Sequence, residues 1–236
     1  VSNYTEKEIS KLKEVTMEIG KQTPISAKEA SKALLEFAQA GLDASASQKM
    51  LPLASKMVVA TQEDMKVAVS ALTTAYYAWK LEAKDMPAVA DQIAASMADS
   101  KLKVEDLATI FNYLGTMAKQ AGMDVSDTLT LVTVMSKAGV KPSTIGTGLT
   151  QAIVALTKMA PKLREEFTKL RLDWREFQIP QNNPLEVFKK LASSGIDLTG
   201  IFKGFETRAG RSVAAIVNQG LQMIDETNAK IKEKGF

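Results

Sequence analysis

Apolar residues recur along this chain at the three-to-four spacing of an amphipathic helix, and nearly every such run opens on Ser, Asp or Pro or closes on glycine. A pattern punctuated in this way cannot build one long rod, and it lacks the strict alternation that builds a sheet. It specifies many short helices folded back on one another. The fold class expected is therefore all-α, a multi-helix bundle of short antiparallel helices and αα-hairpins with no sheet.

The stops and starts can be placed. A first helix covers about Thr5 to Ile19, sets Ile9, Leu12, Val15, Met17 and Ile19 among Lys and Glu, and stops at Gly20. Ser26-Ala27-Lys28-Glu29 is a capping box that opens a helix running to Ala40 and ended by Gly41. A third helix begins near Ser45 and carries Pro52 close enough to its start to bend rather than break. A fourth, about Gln62 to Trp79, puts Met65, Val69, Leu72, Tyr76 and Trp79 on one face. Asp85 caps a fifth, with Pro87 in the first turn where its missing amide is harmless. A sixth runs from about Val104 to Gln120 and ends at Gly122; Ser126 caps a seventh that stops at Gly139; Pro142-Ser143 opens an eighth.

Beyond Pro161 the texture changes. A charged helix reaches about Leu170, then come Asp173-Trp174-Arg175, a Pro-Gln-Asn-Asn-Pro loop at 180–184, a helix from Leu185 to Ala192, and a short element after Asp197. A last helix starts near Arg208, and its final turns carry so little apolar patterning that they should fray. This places a soft boundary between 172 and 184, with a main helical domain at 1–172 and a smaller C-terminal helical subdomain at 173–236. Offset by 81 residues, Gln39-Ala40-Gly41-Leu42-Asp43-Ala44-Ser45 lies over Gln120-Ala121-Gly122-Met123-Asp124-Val125-Ser126. The echo reads either as duplication of αα-hairpins around 26–57 and 107–138 or as one turn chemistry used twice.

Composition then removes most chemistry. The chain has no Cys and no His, so disulfides, thiolate nucleophiles, zinc–thiolate sites and imidazole bases are excluded. Net charge is +3; residues 1–160 balance 17 Lys with 17 acids, and the excess lies in 161–236, with 13 cations against 10 acids. Acids interrupt nearly every basic cluster, as in Lys162-Leu163-Arg164-Glu165-Glu166, so no phosphate-neutralising stripe forms and no specific nucleic-acid binding is expected. No apolar run approaches the roughly 18 to 20 residues of a spanning helix. The eleven methionines and 6% aromatics point to aliphatic packing between helices. Val1-Ser2-Asn3 at the start and the charged run ending Lys234-Gly235-Phe236 read as the ends of a piece of something longer.

The remaining candidates are weak. Glu63-Asp64, Glu105-Asp106 and Glu165-Glu166 are adjacent acids that serve helix dipoles better than a glycosidase pair. Thr144-Ile145-Gly146-Thr147-Gly148 has a Gly-x-Gly without the preceding strand a phosphate cradle needs, so its small residues suit close approach of two helices. Lys80 beside Trp79 and Arg175 beside Trp174 are too isolated to form a base-stacking platform. Tyr76-Tyr77-Ala78-Trp79 fits a core face with one ring left at the surface. No catalytic, metal-binding or cofactor-binding residue is assigned, no cofactor is expected, and the chain is not read as an enzyme.

The order Val104-Glu105-Asp106-Leu107, Tyr113-Leu114-Gly115, Ala121-Gly122-Met123, Met135-Ser136-Lys137-Ala138-Gly139-Val140 and Ser143-Thr144-Ile145-Gly146-Thr147-Gly148-Leu149 resembles the core region of phage tail tape measure proteins of the minor tail protein family. Upstream Phe37-Ala38-Gln39-Ala40-Gly41-Leu42 and downstream Phe205-Glu206-Thr207-Arg208-Ala209-Gly210-Arg211 fit as well, so the resemblance covers about 20–220. It departs at Glu206-Thr207, where the pattern has glycine before the Arg, and at Thr150-Gln151, where an arginine is common. The resemblance implies a structural virion protein in the tail tube lumen, present in the host cytoplasm during assembly, that takes part in tail tube assembly, length determination and genome ejection. Its implied partners are tail tube proteins, tail assembly chaperones and tail tip proteins, with self-association in the parent and contact with the host membrane. Two other classes stay open: a helical membrane-active or pore-forming module, and a muralytic enzyme.

Overall fold

The computed structural model describes residues 4–233, and among them there are helices and no strand. In chain order these are α1 (Glu6–Gln22), α2 (Ala27–Gln39), α3 (Ala44–Thr61), α4 (Met65–Ala78), α5 (Met86–Ala98), α6 (Val104–Gln120), α7 (Val125–Lys137), α8 (Pro142–Lys158), α9 (Pro161–Lys169), α10 (Pro184–Ser193), α11 (Leu198–Gly204) and α12 (Thr207–Glu233), with a 3-10 turn at Trp174–Phe177. The all-α multi-helix fold expected from the periodicity is the fold formed.

The ends of the helices show which local chemistry decides. Ser26 and Glu29 close the expected capping box, the Glu29 amide donating to Ser26 Oγ at 3.2 Å and the Ser26 amide to Glu29 Oε2 at 2.9 Å. A second box at Thr5 and Glu8 opens α1. Three expected boundaries are corrected. α7 is capped by Asp124, whose carboxylate accepts from the Asp127 amide at 2.7 Å, so Ser126 lies inside the helix; α3 starts near Ser45 as expected, on an Asp43 cap of the same kind. The earlier carboxylate wins because it reaches the third amide first and carries a full charge at the positive end of the helix. Asp85 precedes α5 but caps no amide of it, since its carboxylate accepts from Glu82 N in the preceding turn. Gly20 does not stop α1: the helix continues to Gln22, and Gly20 instead lets Ala27 approach.

One turn recurs along the chain. At Gly41 the Leu42 amide donates back to Phe37 O and the Gly41 amide to Ala38 O, with φ of 89° at the glycine; Gly122, with Met123 to Ala118 and Gly122 to Lys119, is the same. This is the Schellman closure, which a left-handed residue makes possible. The same pair of bonds closes α4 at Lys80, α7 at Gly139 and α9 at Arg171, so the turn geometry is general to this chain rather than particular to the two hairpins that echo one another.

Packing proceeds in overlapping pairs. α1, α2 and α3 form a corner; α4 lies on α6, α6 on α8, and α12 against α5, α7, α8 and α10. Buried apolar residues from Ile19 to Ile231 form one contiguous core. Trp79 is its largest side chain, fully enclosed, with Nε1 donating to Met123 O at 3.1 Å and Phe111 edge-on at 5.2 Å. The final turns of α12, expected to fray, are helical up to Glu233, with Ile224, Thr227 and Ile231 buried against the body and side-chain ion pairs alongside them. Residues 234–236 lie outside the described range.

Candidate functional site

Two features of the interior separate this chain from a generic bundle. The first is a set of close helix crossings built on glycine. A Cβ on Gly115 of α6 would sit 2.6 Å from Ala78 Cβ and 2.9 Å from Trp79 Cζ3; one on Gly146 of α8 would meet Ile110 O and Tyr113 Cβ of α6 at 3.2 Å; one on Gly148 would collide with Ser212 Oγ of α12. The Gly-x-Gly of α8 therefore does what its small residues suggested: one glycine seats α6 and the other seats α12. Thr150 donates within α8 to Gly146 O at 2.8 Å and across the same crossing to Tyr113 O of α6 at 3.3 Å.

The second feature is a polar seam along α7. Every residue from Val125 to Met135 is buried, including Ser126, Asp127, Thr128, Thr130 and Thr133, so this helix is enclosed on all sides. Its polar atoms are mostly partnered. Thr133 hydrogen-bonds Ser96 of α5 at 2.6 Å, Thr130 reaches Asn228 of α12 at 3.2 Å, and Asp127 accepts from Asn183 Nδ2 and Lys232 Nζ, both at 3.3 Å. At its far end Asp99 accepts from Lys137 of α7 and Lys230 of α12, each at 2.7 Å. Burial pushes the Asp99 carboxyl up, but the two ammonium groups outweigh it and hold the carboxyl below its ordinary value. Lys230 is raised, chiefly by its hydrogen bond to Asp99.

The acidic pairs singled out in the sequence serve helix ends. Glu63, in the loop between α3 and α4, accepts from the amides of Val104 and Glu105 and so caps α6 from a distant part of the chain, while Asp64 caps α4 through the Lys66 amide. Asp106 accepts from the Lys103 amide. Glu165 and Glu166 both meet Lys169 Nζ, at 2.9 and 2.8 Å, and that hydrogen bond lowers the Glu165 pKa, the reverse of what a proton donor needs. The Trp174 ring carries the guanidinium groups of Arg164 and Arg175 at 4.4 and 4.9 Å, and Trp79 is buried, so neither offers a free face to a base. Tyr76 packs on the core and Tyr77 is the ring left at the surface. Among the described residues no group of three or more acids is placed to hold a metal ion.

Among the described residues, an apolar groove of about 450 Å³ lies between α1 and α2, where Ile9, Met17 and Leu35 are each about half exposed. No residue pattern singled out this groove or the α7 seam. The seam's signal was present as Thr130 and Thr133, three residues apart in Leu129-Thr130-Leu131-Val132-Thr133-Val134-Met135, a run without a charged residue.

Comparison with known proteins matches this frame. Residues 13–225 match the family described as phage-related minor tail protein. The whole chain aligns, at 24% identity, with 21% of the tape measure protein of Pneumococcus phage Dp-1, and 60% of it aligns, at 25% identity, with 17% of a probable tape measure protein of Escherichia phage P2. The chain thus spans about a fifth of the length of these relatives. No solved structure matches it. With the matched region running from α1 into α12 and enclosing the glycine crossings and the whole of α7, the chain belongs to the phage-related minor tail protein family.

Proposed function

We propose that this chain is a folded structural segment of a tail tape measure protein, taking part in tail tube assembly and length determination as a compact docking body while other parts of the parent do the measuring. One observation carries the reading: the helices fold back on a single core instead of running end to end. As one continuous helix, 236 residues would reach about 350 Å, whereas a globule of this length has a radius of gyration of about 17 Å. Length in a ruler scales with residue number, and in a globule it hardly does.

On this reading the segment works in the tail tube lumen of the virion, after loading in the host cytoplasm, and meets tail tube proteins, tail assembly chaperones and tail tip proteins. It self-associates in the parent and rearranges during genome ejection, and it performs no catalysis. The experiment is a pair of in-frame deletions in the phage, one removing residues 6–39 and one removing an equal number elsewhere in the parent. Deletion here is expected to abolish or misassemble tails without a graded change in length. Tails shortened by about 1.5 Å per deleted residue would sink the proposal.

The half-exposed Ile9, Met17 and Leu35 favour one other reading, a membrane-active module. Among the described residues no helix is long and apolar enough to cross a membrane, so such a module would have to insert the α1–α2 face sideways. Dye leakage from liposomes caused by the purified chain would support it, and intact liposomes at saturating protein would exclude it.

A further inference from the structure

The longest helix, α12, bends at Gly220, where φ is 78° and ψ is 166°, a region that essentially only glycine enters. Its two halves are held in different ways. Residues 207–219 bury Ala209, Gly210, Ser212, Val213, Ala214 and Ile216, with Ser212 seated on Gly148 and Gly210 against Phe202. Residues 221–233 bury only Ile224, Thr227 and Ile231.

The rest of that distal arm is held by polar contacts. Asn228 meets Thr130 at 3.2 Å, Lys230 meets Asp99 at 2.7 Å, Lys232 meets Asp127 at 3.3 Å and Asp225 meets Lys189 at 2.9 Å. The hydroxyls of Thr227 on α12 and Ser126 on α7 are buried with no hydrogen-bond partner among the described residues. The lysine ends of these pairs, Lys230 and Lys232, are about half exposed, so the contacts exchange for water at smaller loss than the close crossing of the proximal half. α12 thus has a firm root and a loosely held arm, joined by the residue type able to switch between bent and straight.

If Gly220 adopts helical angles, the 27 residues of α12 form one rod of about 40 Å and the arm leaves its groove. The empty groove presents Asp99, Asp127 and Thr130, a set complementary to two lysines spaced two residues apart and an asparagine two residues before the first of them. The arm of a second copy carries that set by construction. We propose that residues 221–233 are an exchangeable arm, docking either on the α7 and α5 surface of their own chain or, with α12 straightened at Gly220, on the same surface of a second copy.

The exchange can be read on the purified chain, so its outcome is independent of any tail-length result. No cysteine is present, so introduced ones are unique. A chain carrying Thr130→Cys is mixed with a chain carrying Asn228→Cys, oxidised at low and at high NaCl, and resolved on a non-reducing gel. The double variant Thr130→Cys, Asn228→Cys in one chain shows that the pair can close. A dimer linked between positions 130 and 228 of different chains is expected, increasing several-fold at high salt and again with Gly220→Ala, which cannot hold the bend. If the double variant closes within one chain and the mixed chains give no 130–228 dimer at any salt, the arm does not exchange and the proposal fails. Should Gly220→Ala not fold, the salt series on the Gly220 chain decides alone. Dimers linked only through 228–228 count as collision and tell against the groove as the docking surface.

Discussion

Two residues apart, Asp124 and Ser126 could each have opened α7, and they make opposite predictions. Asp124→Ala removes the carboxylate that holds the Asp127 amide and should lower stability by about 1 kcal/mol. Ser126→Ala removes a buried hydroxyl that holds nothing, and should be neutral or slightly stabilising. Urea unfolding of the two variants side by side checks both; equal losses would mean that Ser126 takes part in the cap after all. Glycines divide in the same way. At Gly115 the neighbours Ala78 and Trp79 leave no room for a methyl group, so Gly115→Ala should destabilise by about 1–3 kcal/mol even though alanine is the better helix former. At Gly122 there is open space, and the loss, about 1–2 kcal/mol, comes from φ of 89° alone. A double variant in which Trp79 is also reduced in size should recover part of the first loss and none of the second.

Among the elements, the ion cluster where α5, α7 and α12 meet has a pH signature. Asp99 has a lowered pKa in the folded chain because Lys137 and Lys230 outweigh its burial, so its contribution is fully present above the ordinary carboxylate value of about 4 and is lost as pH falls through the lowered value. The midpoint of urea unfolding should therefore fall more steeply on acidification in the parent chain than in Asp99→Asn, and parallel curves would mean that the cluster contributes no linkage. How much of this was legible in the sequence follows from distance along the chain. Helix existence came from spacing of three and four residues, and boundaries were off by one or two residues where Asp and Ser competed for the same amide. The polar seam joins Thr130 to a residue 98 positions away and Asp99 to one 131 away, and no local pattern encodes such pairings. The expectation that the last turns of α12 fray failed for the same reason, since their partners lie on α5 and α7.

At the scale of the whole molecule, the proposed division into 1–172 and 173–236 is tested by making 1–172 alone. That piece lacks α12, and since α12 packs on α5, α7 and α8 it should stay helical by far-ultraviolet circular dichroism while binding a hydrophobic dye. A cooperative unfolding transition without dye binding would show that the larger part stands by itself. The seat of Ser212 on Gly148 also sets a clock on synthesis. α8 leaves the ribosome with one glycine already able to meet α6, but the face carrying Gly148 waits for a residue made 64 positions later. At about 5–20 residues per second that interval is about 3–13 s, during which a nascent chain shows one apolar face to the cytosol with nothing of its own yet made to cover it.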